Sequence, residues 1–289
     1  MSKRWPVIDT HFHVGVNQLI TFEAENDLIP WMEEAGIDIQ IVCQVNEGFM
    51  HKTPEWNPFV GNDYIAKIQN MFSERIIGLG TVNPWLQSPK SYRFPSKKEG
   101  QPYDKVNYNF AIDEVERIIL ELGLNGLKLH PLEHNYNIND PHIINPLMDK
   151  LVEMQNRVGR KMIVLVHAAG DSVYNTPTAL ADLARQYPDI LFLMSHCGFV
   201  WGGPVVCHTV GPLENVMLDL TTCPQKSVVW ETYHKYGATK FTAGTDGPFA
   251  SPLVKDAIVK DLASNAEEES LIQGGNLAKL LGIPKIEIK

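Results

Sequence analysis

Short apolar runs rich in β-branched residues alternate along this chain with longer segments whose apolar positions recur at helical spacing. The runs predict strands at Val7 to Thr10, Ile37 to Gln44, Ile76 to Val82, Gly126 to Leu129, Met162 to Val166, Ile190 to Ser195, Val216 to Leu220 and Lys240 to Ala243. Between them, helices are predicted at Leu28 to Glu34, Ile112 to Leu122 (stopped by Gly123), His142 to Arg157, Thr178 to Gln186 and Val228 to Tyr236. Two more close the chain, at Pro252 to Leu262 and Glu267 to Leu281. Strand and helix in strict alternation predict a parallel sheet with right-handed crossovers. Eight such units in 289 residues match an α/β fold of the (β/α)8 TIM-barrel type, a single domain over residues 1–289 with inserted βα loops over its C-terminal face. An open doubly wound sheet is the rival. No Gly-rich dinucleotide fingerprint follows any strand, which weakens it. The one long irregular stretch, Trp85 to Asn109, reads as a lid or binding loop.

Composition narrows the function classes. The chain is 44% hydrophobic and 20% charged, ordinary for a globular protein. A formal charge of -9 argues against nucleic acid or an anionic membrane as partner, since both need a basic face. No apolar run approaches membrane-spanning length. The four cysteines form no C-x-x-C pair, so a zinc ribbon or a thioredoxin-type site has no support. Free thiols in a cytoplasmic enzyme, with a small-molecule substrate and a homodimer as the default assembly, are the expectation.

The candidate chemistry begins at VIDTHFHVG, Val7 to Gly15, where His11 and His13 stand two residues apart. With 10 His in the chain, a chance H-x-H arises about a third of the time, so the pair needs support from elsewhere. Barrel enzymes place their chemistry at the C-terminal ends of the strands. Strand one ends in His11 and His13, strand four in Lys128 and His130, strand five in His167, strand six in His196 and strand eight in Asp246. A spacing of two puts each pair on one face of an extended segment. Chance placement would scatter these groups through helices and loops. Imidazole nitrogens and a carboxylate suit Zn²⁺ or a similar ion with a position left open for water. Asp246 is then the candidate general base and His196 the candidate that polarises a substrate carbonyl.

These residues resemble the amidohydrolase superfamily, in its amidohydrolase-related (amidohydrolase family 2) branch. The resemblance is carried by His11-Phe12-His13, GLKLHP at Gly126 to Pro131, VHAAG with His167, MSHCG with His196, GTDGPF with Asp246 and the closing GGNLAKLLGI. It spans nearly the whole chain in the family's order. It implies a metal on His11, His13, His167 and Asp246, with His196 in catalysis. It implies hydrolysis of an amide, ester or lactone, or, as the alternative, non-oxidative decarboxylation of an aromatic or unsaturated acid. One ion is expected, Zn best, with Mn, Co or Fe as substitutes. A second ion bridged by a carboxylated Lys128 is the lesser reading beside ion pairing or substrate binding; His130 is a pocket candidate.

The bland readings are strand-end histidines bonded to backbone and, for Asp246, ordinary Thr-Asp-Gly-Pro turn chemistry. His51, Trp85, Arg93, Trp201 and Phe249 fall in loops expected to open on the active face and are substrate-pocket candidates. Arg93 is the one arginine expected there, and a decarboxylase would want such a fork for its substrate anion, which tilts the reading towards hydrolysis. Asp9 and Phe12 are expected to turn away from the metal, and Cys197 to be a buried, inert thiol.

Overall fold

The computed structural model describes residues 2–16, 20–45, 61–84, 109–199, 202–223 and 225–288. Its eight barrel strands are, in order, Ile8–Val16, Ile39–Gln44, Ile76–Gly78 continued by Gly80–Thr81, Gly126–Leu129, Ile163–His167, Leu191–Ser195, Val216–Asp219 and Phe241–Thr242. The third to eighth strands pair in sequence order, all parallel, and the first pairs parallel with the second and the second with the third. The ring closes where the residues after the eighth strand meet the first. Thr10 N donates to Ala243 O at 3.2 Å, Asp246 N to His11 O at 2.8 Å and His13 N to Gly247 O at 2.6 Å. This is a (β/α)8 barrel.

Both faces of the strands are apolar because both are covered. Ile8, Ile41, Leu79, Ile163, Leu165, Leu191, Leu193 and Met217 fill the interior. The alternate residues, among them Val42, Leu127, Val164, Val166, Phe192 and Leu218, pack outwards with the helices. The fourth strand opens on Gly126, whose φ is +147°; a Cβ there would lie 1.8 Å from Ile163 O. Only glycine passes so close to the neighbouring backbone.

The predicted strands recur within a few residues, with one difference of consequence. The first strand runs through His11 and His13 to Val16 instead of ending before them. Between Asp9 and Phe12 its register against the second strand shifts, a β-bulge of one extra residue. Strict alternation would put Asp9 on the same face as the histidines. The bulge reverses that: Ile8, His11 and His13 face the barrel axis, while Phe12 packs outwards edge-on to Phe22 and Trp31.

The reading of the sequence missed helix Asn62–Met71. Its polar first residue is buried and satisfied at long range: Asn62 Nδ2 donates to Glu114 Oε1 at 2.7 Å, and Thr81 N donates to Asn62 Oδ1 at 2.8 Å. The expected final helix, Glu267 to Leu281, is broken in the middle. Gly274 packs so tightly that an added Cβ would lie 2.1 Å from Pro6 O. The predicted lid lies outside the described residues except for Asn109, which opens helix Asn109–Leu120.

Candidate metal centre

Four of the five non-glycine residues with positive φ among the described residues lie where the sixth to eighth strands end: His196, Cys197, Thr222 and Asp246. Left-handed backbone costs about 1 kcal/mol or more per residue and collects where tertiary structure over-determines it, typically at functional sites. Here it turns the chain sharply as each strand ends.

Asp246 is held by a buttress from the first strand. Thr245 Oγ1 donates to Asp9 Oδ2 at 2.6 Å, Thr245 N donates to Asp9 Oδ1 at 2.8 Å, and Gly247 N donates to Thr245 Oγ1 at 2.9 Å. Asp9 is fully buried and so does turn away from the histidine cluster, but by the bulge and towards the closing strand. A second buttress stands beside it. Asp219 Oδ1 accepts from Thr10 Oγ1 at 2.8 Å, and Asp219 Oδ2 accepts from Thr221 Oγ1 at 2.6 Å. Burial pushes the Asp219 carboxyl up to about 6. The sequence reading gave Asp9 no partner and did not single out Asp219. The only local signal is an acid followed two residues later by Thr in an apolar run (Asp219, Thr221), and that is weak.

The imidazoles can be assigned by their partners, since carbonyl oxygens only accept. His13 Nδ1 lies 3.2 Å from Gln44 O, so it carries the proton and Nε2 carries the lone pair. Lys128 Nζ, fully buried, donates to His11 Nε2 at 2.7 Å, which makes that nitrogen an acceptor too. Burial first, then the Lys128 charge, holds His11 well below the usual imidazole range. His11 Nε2 and His13 Nε2 face each other at 3.0 Å. Asp246 Oδ1 completes a triangle, 3.4 Å from His11 Nε2 and 3.3 Å from His13 Nε2.

His11 Nε2, His13 Nε2 and Asp246 Oδ1 are imidazole and carboxylate atoms of the kind that hold a divalent cation, with the Lys128 ammonium at the His11 corner. Bonds of about 2.1 Å in a tetrahedral shell put neighbouring ligand atoms about 3.4 Å apart, close to the edges found. His196 joins the cluster from the sixth strand, and its metal-binding atom lies within 4.8 Å of those of His11 and Asp246. Its Nδ1 donates to Thr221 O at 3.0 Å, and its buried Nε2 has no partner among the described residues. Burial, then the neighbouring His167, lowers His196 to about 3. A neutral ring with its proton on Nδ1 offers only a lone pair at Nε2, so it can ligate or accept a proton but cannot donate to a carbonyl.

A family model described as amidohydrolase matches residues 8–283. The chain belongs to the amidohydrolase family. A search of curated proteins finds no match for this amidohydrolase. Several solved structures share its fold. The 2,6-dihydroxybenzoate decarboxylase from Rhizobium is 13% identical, with a TM-score of 0.63 over 98% of this chain and 99% of that one. The 4-oxalomesaconate hydratase from Rhodopseudomonas palustris is 15% identical, with a TM-score of 0.60 over 96% of each chain. The 5-carboxyvanillate decarboxylase from Novosphingobium aromaticivorans, complexed with manganese and 4-hydroxy-3-methoxy-5-nitrobenzoic acid, is 15% identical, with a TM-score of 0.58 over 88% of this chain and 79% of that one. At such identities the likeness establishes the barrel.

The amidohydrolase brings His11, His13, Lys128, His196 and Asp246 together. His167 stands beside them with its ring 4.8 Å from that of His196, but its Nε2 lies 2.8 Å from Asp171 Oδ2 and not in the triangle. A carboxylate accepts, so that nitrogen carries the proton. His130 stacks on His167 at 4.0 Å, with the two planes 15° apart. Phe249 stands edge-on to His13 at 5.4 Å and is 47% exposed, placed to wall the mouth. His51, Trp85, Arg93 and Trp201 lie outside the described residues. Cys197 is buried and donates to Asp219 O at 3.1 Å.

Proposed function

We propose that this amidohydrolase is a metal-dependent hydrolase of a C–N or C–O bond in a small amide, lactone or ester. The observation that carries the reading is the triangle of His11 Nε2, His13 Nε2 and Asp246 Oδ1, whose edges are 3.0, 3.3 and 3.4 Å. These three would hold one divalent ion, Zn²⁺ by its preference for imidazole, with Mn²⁺ as the substitute. When bound, the ion supplies Lewis acidity and a water of lowered pKa. His196 Nε2, bare and neutral, takes the proton from the attacking water and returns it to the leaving group. That reassigns two roles: Asp246 serves as ligand more than base, and His196 as base instead of polariser. Lys128, an ammonium inside the cluster, draws an anionic oxygen of the substrate inwards. His167, the fourth ligand implied by the resemblance, would not hold the ion through Nε2, which donates to Asp171 Oδ2.

Decarboxylation of a small aromatic or unsaturated acid is the second reading. What favours it is the charge inside the cluster: one carboxylate, Asp246, against Lys128 and a divalent ion, a balance that suits an anionic substrate. One experiment decides between them. Protein reconstituted with Zn²⁺ or Mn²⁺ is screened against lactones, amides and aromatic acids. Proton release with ring opening supports hydrolysis; released CO₂ replaces it with decarboxylation. Metal analysis on the same sample separates one ion from two, and two would promote Lys128 to a carboxylated bridge.

A further inference from the structure

His130 differs from His13 and His196 in which nitrogen carries the proton. It caps the short helix Pro131–His134, and its Nδ1 accepts a hydrogen bond from Glu133 N at 3.3 Å. An accepting nitrogen carries no proton, so the neutral ring carries its proton on Nε2. No described residue accepts from that Nε2–H, and the ring is half-buried. His13 and His196 hold the opposite tautomer, each with Nδ1–H bonded to a backbone carbonyl and a lone pair at Nε2.

The ring is also fixed in place. It stacks on His167 at 4.0 Å, and His167 is pinned from two sides. His167 Nε2 donates to Asp171 Oδ2 at 2.8 Å, and the His167 carbonyl accepts from Asn175 Nδ2 at 2.8 Å. The position follows from the pleat. His130 is two residues beyond Lys128, on the same face of the fourth strand, about 6.6 Å further towards the C-terminal mouth. Lys128 Nζ touches His11 Nε2. His130 therefore stands one step above the cluster, where a substrate bound at the cluster would present its outer oxygen.

We infer that His130 is the hydrogen-bond donor for a carboxylate or carbonyl oxygen of the substrate, supplied by an Nε2–H whose tautomer the Glu133 backbone fixes. This rests on the reading of the cluster as the cation site. It assigns to His130 the polarising role that the sequence suggested for His196. A fixed donor aimed at an oxygen needs no reorganisation when charge develops there.

The test uses the full chain, metal-loaded, with benzoate as the probe. Long-range nitrogen–proton correlation NMR on the unmutated protein should find His130 protonated at Nε2; a proton on Nδ1 overturns the inference. His130→Ser keeps an oxygen that can cap the helix and removes the Nε2–H. It should weaken benzoate binding about tenfold, as loss of a hydrogen bond to a charged group does, with metal content unchanged. Native-like benzoate affinity in the variant, or loss of the metal with it, also overturns the inference. If the unmutated protein takes up no metal, the reading of the cluster fails instead, and the NMR result still decides the tautomer.

Discussion

His196 donates from Nδ1 to the Thr221 carbonyl across 3.0 Å, and that bond leaves its buried Nε2 as a bare lone pair. His196→Ala should therefore keep the metal and slow turnover by about 10²–10⁴-fold, the range of a lost general base. Metal analysis beside a rate measurement checks it. An emptied site in the variant would make His196 a ligand and not a base.

The facing Nε2 atoms of His11 and His13 make a second prediction. His13→Ala and Asp246→Asn should each lose the ion, read by elemental analysis after gel filtration. A chelator should lower the melting temperature of the native protein, since an ion present at about 100 Kd contributes about 2.7 kcal/mol. Neither variant should respond to the chelator. Full metal occupancy in either would refute the triangle as the site.

The Asp9 buttress acts through Thr245. Thr245→Val keeps the shape but removes the hydroxyl that bonds Asp9 Oδ2 and receives Gly247 N. Leaving that buried acid short of a partner should cost about 1–3 kcal/mol in denaturant unfolding. Metal affinity should fall by about 10–100-fold, as when a ligand's support is removed. A variant with native metal affinity would show that Asp246 is oriented without Thr245.

Asp219 gives the pH prediction. Its folded pKa is raised to about 6 by burial, above the unfolded value of 3.8. The unfolded chain therefore gives up this proton first as pH rises, and stability falls between pH 4 and 6 and stays lower above. Two pKa units correspond to about 3 kcal/mol. Asp219→Asn, which imitates the protonated acid, should flatten that part of the stability–pH curve. Unfolding titrations from pH 4 to 7 on both proteins test it, and parallel curves would be the contrary result.

The sequence revealed the groups at this centre because a barrel delivers its chemistry at strand ends, and strand ends can be read from where an apolar run stops. His130 followed the fourth run and Asp246 the eighth for that reason. What escaped was whatever depends on a partner far along the chain. Asp9 and Thr245 are 236 positions apart, and Thr10 and Asp219 are 209 apart. Their single-residue contexts look like ordinary strand and turn chemistry. Helix Asn62–Met71 was missed likewise, because its buried Asn62 finds partners in Glu114 and Thr81.

The sequence by itself determined the eightfold alternation, the family and the short set of histidines and acids from which a metal centre could be built. Apolar periodicity and residue type are local properties, legible without coordinates. The tertiary structure decided how those groups divide the work. One extra residue in the first strand sends Asp9 to Thr245 and His11 to the axis. Which nitrogen of each imidazole keeps its proton is set by a carbonyl, a carboxylate or a backbone amide reached only through the fold. Gln44 and Thr221 leave lone pairs on His13 and His196, while Glu133 leaves an N–H on His130. A hydrogen bond fixes a tautomer only where two distant segments meet, and chain closure brings them together.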